Sequence, residues 1–376
     1  MESTALIPDA LVKRLIMRKV VTSMLALRLY HEHDARLEEV PEPELRPGAV
    51  KVKVAWAGIC GSDLSLFETA PVPLDYSNPI MQETGPHTLG HEFSGYVTEV
   101  AEGVTTVQVG DLVAVRPNFA DGTCPSCQAG HPNMCDNFAF IGINGWGGGF
   151  SESVVVPADH AYVLPPGFNA QIAALIEPLT VAWHAVKLAE TPKDGTALVV
   201  GAGPIGLSTV LALRAQGISK IIVSEPSEAR KKLAAEVGAD LVIDPRETDV
   251  VAAVRDATGG RGADVSFEAS GIGKATLQPA IDGLCTAGRA VILASFHGDV
   301  PTDVMPFLTK EKVLTGSFAY TAQDFSDVRD AVVDGRITPD ALISSRIQLS
   351  DVLDSGIKHL LGEGRTTEVK ILVSPS

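Results

Sequence analysis

The chain predicts an α/β protein in two parts, an antiparallel, barrel-like β domain followed by a doubly wound domain on a parallel sheet. Three observations carry this. Short alternating strands bounded by Gly, Pro and Asp turns run from Met24 to about Pro166. From about Ile172 the period changes to helices alternating with buried apolar strands. Inside that second stretch, between Thr196 and Arg214, a strand runs directly into a glycine turn and a helix.

The alternation is clearest at Val50-Lys-Val-Lys-Val-Ala-Trp56, where apolar residues alternate with lysine or alanine and one face is therefore buried. Gly95 to Val100, Asp111 to Arg116 and Ser153 to Pro157 read as strands of the same kind. In the second part, Thr196 to Val200 is a buried strand and Leu207 to Arg214 an apolar-periodic helix. Pro204 suits the first helical turn, because its fixed φ is helical and its missing donor would be unpaired there. Lys220 to Ser224, Ala263 to Glu268 and Ala290 to Ala294 are further strands. After Leu314 come two helical stretches, Ala322 to Val333 and Val352 to Leu361, and a closing strand, Glu368 to Val373. This tail is expected to return to the first domain, giving a catalytic part of 24–175 with 315–376 around a dinucleotide-binding part of 176–314.

Residues 1–23 differ from the rest of the chain. Lys13, Arg14, Arg18 and Lys19 lie among scattered apolar residues, but Glu2 and Asp9 are acidic and no continuous apolar core is present. That favours an upstream start, or a disordered or frayed extension before Met24, over a targeting peptide.

Composition bounds the function. The 376 residues are 45% hydrophobic and 20% charged, with a formal net charge of −16. An acidic balance argues against nucleic acid or an anionic membrane as partner, since both require local positive potential. No apolar run approaches the length of a spanning helix. Small-molecule chemistry fits better. Five cysteines in so long a chain do not form a disulfide framework, which points to a reducing cytoplasm.

Two short motifs supply the chemistry. Cys60-Gly-Ser-Asp63 and Gly90-His91-Glu92 bring a thiolate, an imidazole and a carboxylate, three ligand types of tetrahedral zinc sites with an open fourth position. Zinc there would favour the alkoxide form of an alcohol and so prepare its carbon for hydride loss. The hydride acceptor is implied by Gly201-Ala-Gly203-Pro204-Ile205-Gly206. In such a turn the first glycine permits the bend, the second lets a pyrophosphate approach, and the third allows close helix packing, with the helix N-terminus facing the phosphates. Glu225, nineteen residues past Gly206, stands at the end of the next strand. A carboxylate there accepts from the ribose hydroxyls of NAD and repels the extra phosphate of NADP. Arg230 and Ser270 join the cofactor candidates, Arg230 on the adenine side.

Taken together, Cys60-Gly-Ser-Asp63, Gly90-His-Glu-Phe-Ser-Gly95, Glu177-Pro-Leu179 and the glycine turn resemble the zinc-dependent medium-chain dehydrogenases. The stretches Val181-Ala-Trp-His-Ala-Val186, Val223-Ser-Glu-Pro226, Met305-Pro306, Glu311-Lys312 and Thr315-Gly-Ser317 are most similar to the 2,3-butanediol and sorbitol dehydrogenase branch. The resemblance implies a GroES-like antiparallel β catalytic domain and a Rossmann doubly wound domain. It also implies a homo-oligomer, a dimer or tetramer, with pairing expected at an edge strand near Ala290 to Ser295.

In that branch Cys60, His91 and one or both of Glu92 and Glu177 would surround the catalytic zinc. Asp63 would orient the His91 ring by accepting its other N–H. Ser62 would be the first proton relay, although Ser65 stands where relatives often carry a histidine. Asp121, Cys124, Cys127 and Cys135 resemble the structural zinc lobe, with Asp121 at the position of a fourth cysteine. Oxygen ligation by Asp121 makes a closed zinc site; the rival is a metal-free Cys-x2-Cys loop open to oxidation. Trp146, Phe67, Phe150 and Phe318 are aromatic candidates for the substrate or nicotinamide side of the cleft, and Cys285 for core packing.

The implied reaction is NAD-linked oxidation of a secondary alcohol, a vicinal diol to its hydroxyketone, with 2,3-butanediol and acetoin as the favoured pair. Polyols and L-threonine are the alternatives within the enzyme class. A dinucleotide-binding protein without turnover is the alternative outside it, and the set Cys60, Ser62, His91 and Glu177 argues against that, since binding alone needs no open metal site.

Overall fold

The computed structural model describes residues 22–296 and 298–375. Residues 1–21 of the expected extension lie outside them, and Ser23 already belongs to the first strand.

The strands of the antiparallel part are β1 (Ser23–His31), β2 (Asp34–Pro41), β3 (Ala49–Gly58), β4 (His87–Thr88), β5 (Glu92–Val100) and β6 (Leu112–Val115). They continue as β7 (Asn118–Phe119), β8 (Ala139–Phe140), β9 (Ser153–Pro157) and β10 (Ala161–Val163). The parallel part holds β11 (Thr196–Val200), β12 (Lys220–Ser224), β13 (Leu241–Ile243), β14 (Ala263–Glu268), β15 (Leu284–Ile292) and β16 (Val313–Gly316). Two last strands, β17 (Ile343–Gln348) and β18 (Lys370–Ser374), close the chain.

The alternation in β3 does what its pattern implies. Val50, Val52 and Val54 enter a core with Phe93, Val113, Val115, Val154 and Val156, while Lys53 is exposed. β3 is the centre of this part, pairing antiparallel with β5, β9 and β18. The sheet order β10-β6-β5-β3-β18-β17 shows that the chain end returns to the antiparallel part.

The parallel sheet has the order β13-β12-β11-β14-β15-β16, the 3-2-1-4-5-6 arrangement of doubly wound dinucleotide-binding folds. Its switch point lies between β11 and β14, and open α/β sheets bind ligands at the carboxyl ends of such strands. The helix Ile176–Leu188 joins the two parts. Its Leu179, Ala182 and Val186 share one core with Leu207, Val210 and Leu211 on one side and with Leu112, Ala114 and Leu372 of the antiparallel sheet on the other.

Two expectations about the tail and the edge are corrected. The parallel sheet continues through Gly316, and the helix Ala322–Val333 packs its Phe325, Val328 and Val332 into the core around Ile176–Leu188. The tail therefore rejoins the antiparallel sheet only with β17 and β18. The segment Ala290 to Ser295 is not an edge, because β16 pairs in parallel outside β15 and is itself the edge strand. The second helical stretch is also irregular, a π-helical turn over Val352–Lys358 followed by His359–Leu361.

Candidate active site

Cys60 is the N-cap of the helix Gly61–Thr69, placed where β3 ends. Asp63 sits in the first turn of that helix with its side chain wholly buried. One carboxylate oxygen accepts the Cys60 N–H at 2.9 Å and the other accepts the Gly90 N–H at 3.3 Å. A single acid thus fastens together the two segments that carry the first two candidate ligands. Gly90 makes the second segment possible, since its φ of +92° is left-handed and a Cβ there would lie 2.7 Å from the Phe150 nitrogen.

Cys60, His91 and Glu92 offer ligand atoms that all lie within 4.8 Å of one another. Ser62 Oγ is 3.0 Å from His91 Nε2, so the expected relay hydroxyl stands at this cluster. Asp63 Oδ1 lies 3.6 Å from His91 Nδ1, an ion-pair distance rather than a hydrogen bond, because its oxygens are aimed at the two amides. His91 Nδ1 is left buried without a hydrogen-bond partner. Burial disfavours charge on His91, yet Asp63, Cys60 and Glu177 together raise it to about 10. A thiol, an imidazole and carboxyl groups crowded together are a donor set that zinc accepts as thiolate, imidazole and carboxylate.

The two glutamates have different partners. Both oxygens of Glu92 accept from Lys370 Nζ, at 2.7 and 2.6 Å, and the same ammonium donates to the Ile59 carbonyl at 3.0 Å. Glu177 Oε1 accepts from the Tyr320 hydroxyl at 2.6 Å. Burial pushes the Glu177 carboxyl up to about 7, against the opposing pull of His91. Neither Lys370 nor Tyr320 was expected from the sequence. The one available signal was a lone lysine opening the apolar strand Lys-Ile-Leu-Val; Tyr320 had none.

At the dinucleotide end, the three glycines fit three different demands. Gly201 has φ +97° and abuts Ser270, whose Cβ would lie 3.0 Å from an added Cβ. Ser270 follows β14, so the turn and Ser270 meet at the switch point of the sheet. A Cβ on Gly206 would fall 1.9 Å from the Gly201 carbonyl oxygen. Gly203, by contrast, has an ordinary φ of −70° and nothing within 4 Å of a Cβ, so no protein atom requires a glycine there. A cradle that only a ligand would fill fits an approaching pyrophosphate. Pro204 and Ile205 open the helix Pro204–Ala215 behind it.

Glu225 is buried just past β12, accepting from the N–H groups of Ala202 at 2.7 Å and Ser227 at 2.8 Å. Its carboxylate therefore lies against the glycine turn. Arg230 lies close enough to Glu225 for their charges to interact. Its Nη2 donates to the carbonyls of Arg365 at 2.7 Å and Glu368 at 2.8 Å, tying its helix to the segment that leads into β18. Phe318 is 56% exposed and stacks edge-on to Phe138, while its carbonyl accepts from Asn133. Phe67 and Phe150 are core residues.

Asp121, Cys124, Cys127 and Cys135 also bring their ligand atoms within 4.8 Å of one another. The sulfurs are addressed by backbone amides: Cys124 Sγ accepts from Cys127 N–H and Asp136 N–H, and Cys135 Sγ from Asp121 N–H and Asn137 N–H. Donors turned on thiolates are the surroundings of a metal-bound sulfur. Asp121 is held well below the usual carboxylate range by the amides of Cys124 and Thr123 and by Asn137. All five cysteines are free thiols, and Cys285 is buried.

The chain is similar to known proteins over most of its length. The alcohol dehydrogenase GroES-like domain matches residues 46–166, and the zinc-binding dehydrogenase family matches residues 204–334. An (R,R)-butanediol dehydrogenase of Neisseria gonorrhoeae is 37% identical over 94% of this chain and 100% of its own. The crystal structure of 2R,3R-butanediol dehydrogenase from Bacillus subtilis has a TM-score of 0.87 at 38% identity, covering 94% of this chain and 100% of that one. A Sinorhizobium meliloti structure bound to NADP has a TM-score of 0.85 at 33% identity, covering 94% and 100%.

Proposed function

The chain belongs to the zinc-binding alcohol dehydrogenases with a GroES-like domain, and on that premise we propose that it oxidises a vicinal diol, 2,3-butanediol, to its hydroxyketone, acetoin, with NAD. The observation that carries the reading is Ser62 Oγ at 3.0 Å from His91 Nε2 within the Cys60, His91 and Glu92 cluster. The names of the relatives support the diol.

Cys60, His91 and one of Glu92 and Glu177 hold the metal. When bound, zinc supplies Lewis acidity toward the alcohol oxygen and NAD supplies the hydride acceptor. Ser62 Oγ accepts the hydroxyl proton as the carbon gives up its hydride, and hands its own proton on toward water. Asp63 keeps Cys60 and Gly90 in register through their amides. Gly203 and the N-terminus of Pro204–Ala215 receive the pyrophosphate, and Glu225 selects NAD over NADP by its charge. Asp121, Cys124, Cys127 and Cys135 hold a second, structural zinc.

Among the described residues no helix is long and apolar enough to cross a membrane. Ligand thiolates need a reducing compartment, so we place the protein in the cytoplasm, which cell fractionation checks. The edge strand β16, with Val313 exposed on it and Met305 and Leu308 exposed on the helix that precedes it in the chain, is the surface for a homo-oligomer; a monomer by light scattering at micromolar concentration would overturn that.

The test is NADH formation on 2,3-butanediol stereoisomers, sorbitol, L-threonine and simple secondary alcohols, with NADP in parallel, before and after chelation. Chelator-sensitive turnover of one diol isomer with NAD is expected. Turnover of sorbitol or threonine alone would replace the substrate, and activity retained by Cys60→Ala would sink the mechanism.

A further inference from the structure

Tyr320 joins three segments that are remote in sequence. It follows the edge strand β16, its carbonyl accepts from Asn118 Nδ2 of β7 at 2.8 Å, and its hydroxyl donates to Glu177 at the start of the helix Ile176–Leu188. Its side chain has no solvent exposure, and its ring packs 6.0 Å from that of Phe325. The residue before it, Ala319, has φ +48°. A left-handed alanine is strained and persists where the surroundings over-determine it. Here the strained turn and the Asn118 bond aim one phenol at one carboxylate.

That carboxylate stands apart from the metal cluster. Cys60, His91 and Glu92 converge within 4.8 Å, and Glu177 is not in that set, although its charge acts on His91. The phenol offers one strong donor to an acceptor that would otherwise be free to swing toward a cation.

Resting on the metal-site reading above, we infer that Tyr320 is a positioning residue that holds Glu177 turned away from Cys60 and His91 and so keeps a coordination position open. The glutamate that stays off the metal leaves room for the substrate oxygen. Removing only the Tyr320 hydroxyl frees Glu177 to compete for that position.

The experiment is Co²⁺ titration followed by visible absorption, on wild type, Tyr320→Phe, Glu177→Gln and the double variant, with Cys60→Ser as the baseline for the second cluster. Tyr320→Phe is expected to shift the ligand-field bands of the Cys60 site and to raise its Co²⁺ affinity roughly tenfold or more. Both changes should vanish in the Glu177→Gln background. Unchanged bands, weakened binding, or the same change with and without Glu177 would overturn the inference alone. A Cys60→Ser titration identical to wild type would overturn the site reading, and this inference with it.

Discussion

Lys370 grips Glu92 with its ammonium 2.7 and 2.6 Å from the two carboxylate oxygens, and both side chains are buried. Burial opposes the charge of Lys370, but Glu92 beside it holds its pKa above the ordinary lysine value. A buried pair is costly to break from one side, since the survivor stays charged without a partner. Lys370→Met should therefore lower stability by about 3–5 kcal/mol in urea unfolding, and Lys370→Met with Glu92→Gln should recover most of it. A single variant as stable as wild type would show that the pair is not closed in solution.

That pair also marks where reading the sequence stops. Asp63 and Cys60 are three residues apart and the glycine turn is contiguous, so their geometry follows from local rules that the residues display. Lys370 meets Glu92 across 278 residues and Tyr320 meets Glu177 across 143, and no local pattern announces either contact. The helix Ala322–Val333 shows the same division. The spacing of Phe325, Val328 and Val332 reveals an apolar face but not that the helix Ile176–Leu188 covers it. The misplaced edge has a simpler cause. β16 is four residues, Val-Leu-Thr-Gly, too short and too mixed to compete with the apolar β15 as a strand signal.

His160 should make the fold acid-sensitive. Burial first, and the neighbouring Arg116 charge second, push its imidazole from 6.5 down to about 4. Its Nδ1 faces the Arg116 carbonyl at 2.7 Å and its Nε2 faces Arg116 Nη2 at 2.8 Å, an arrangement that suits the neutral ring. Between those two values the unfolded chain takes up a proton that the folded chain refuses. The contribution is therefore complete above pH 6.5 and is lost as pH falls to about 4, roughly 3 kcal/mol in all. Unfolding midpoints measured across that window should slope in wild type and flatten in His160→Gln; equal slopes would assign the acid limb to other groups.

Glu225→Gln tests cofactor choice. The carboxylate already accepts from Ala202 and Ser227, and an amide oxygen keeps part of that support while the charge is lost. The ratio of kcat/KM for NAD over NADP should fall roughly tenfold or more. A relative solved with NADP makes the comparison informative, because the fold itself admits that dinucleotide. An unchanged ratio would move the choice of cofactor away from this residue.

Gly203 and Gly206 separate what the protein requires from what the ligand requires. At Gly206 an added methyl group meets the Gly201 carbonyl oxygen at 1.9 Å, so Gly206→Ala must displace the turn and should cost about 1–3 kcal/mol without any cofactor present. At Gly203 the backbone is ordinary and the space is open, so Gly203→Ala should change the stability of the free protein by no more than about 1 kcal/mol. On the proposed dinucleotide site, the same methyl group stands where the pyrophosphate approaches. Thermal shifts with and without NAD distinguish the two: Gly203→Ala should melt as wild type does alone yet gain little from NAD. If it gains as much as wild type, the dinucleotide does not lie over this glycine, and the turn serves packing alone.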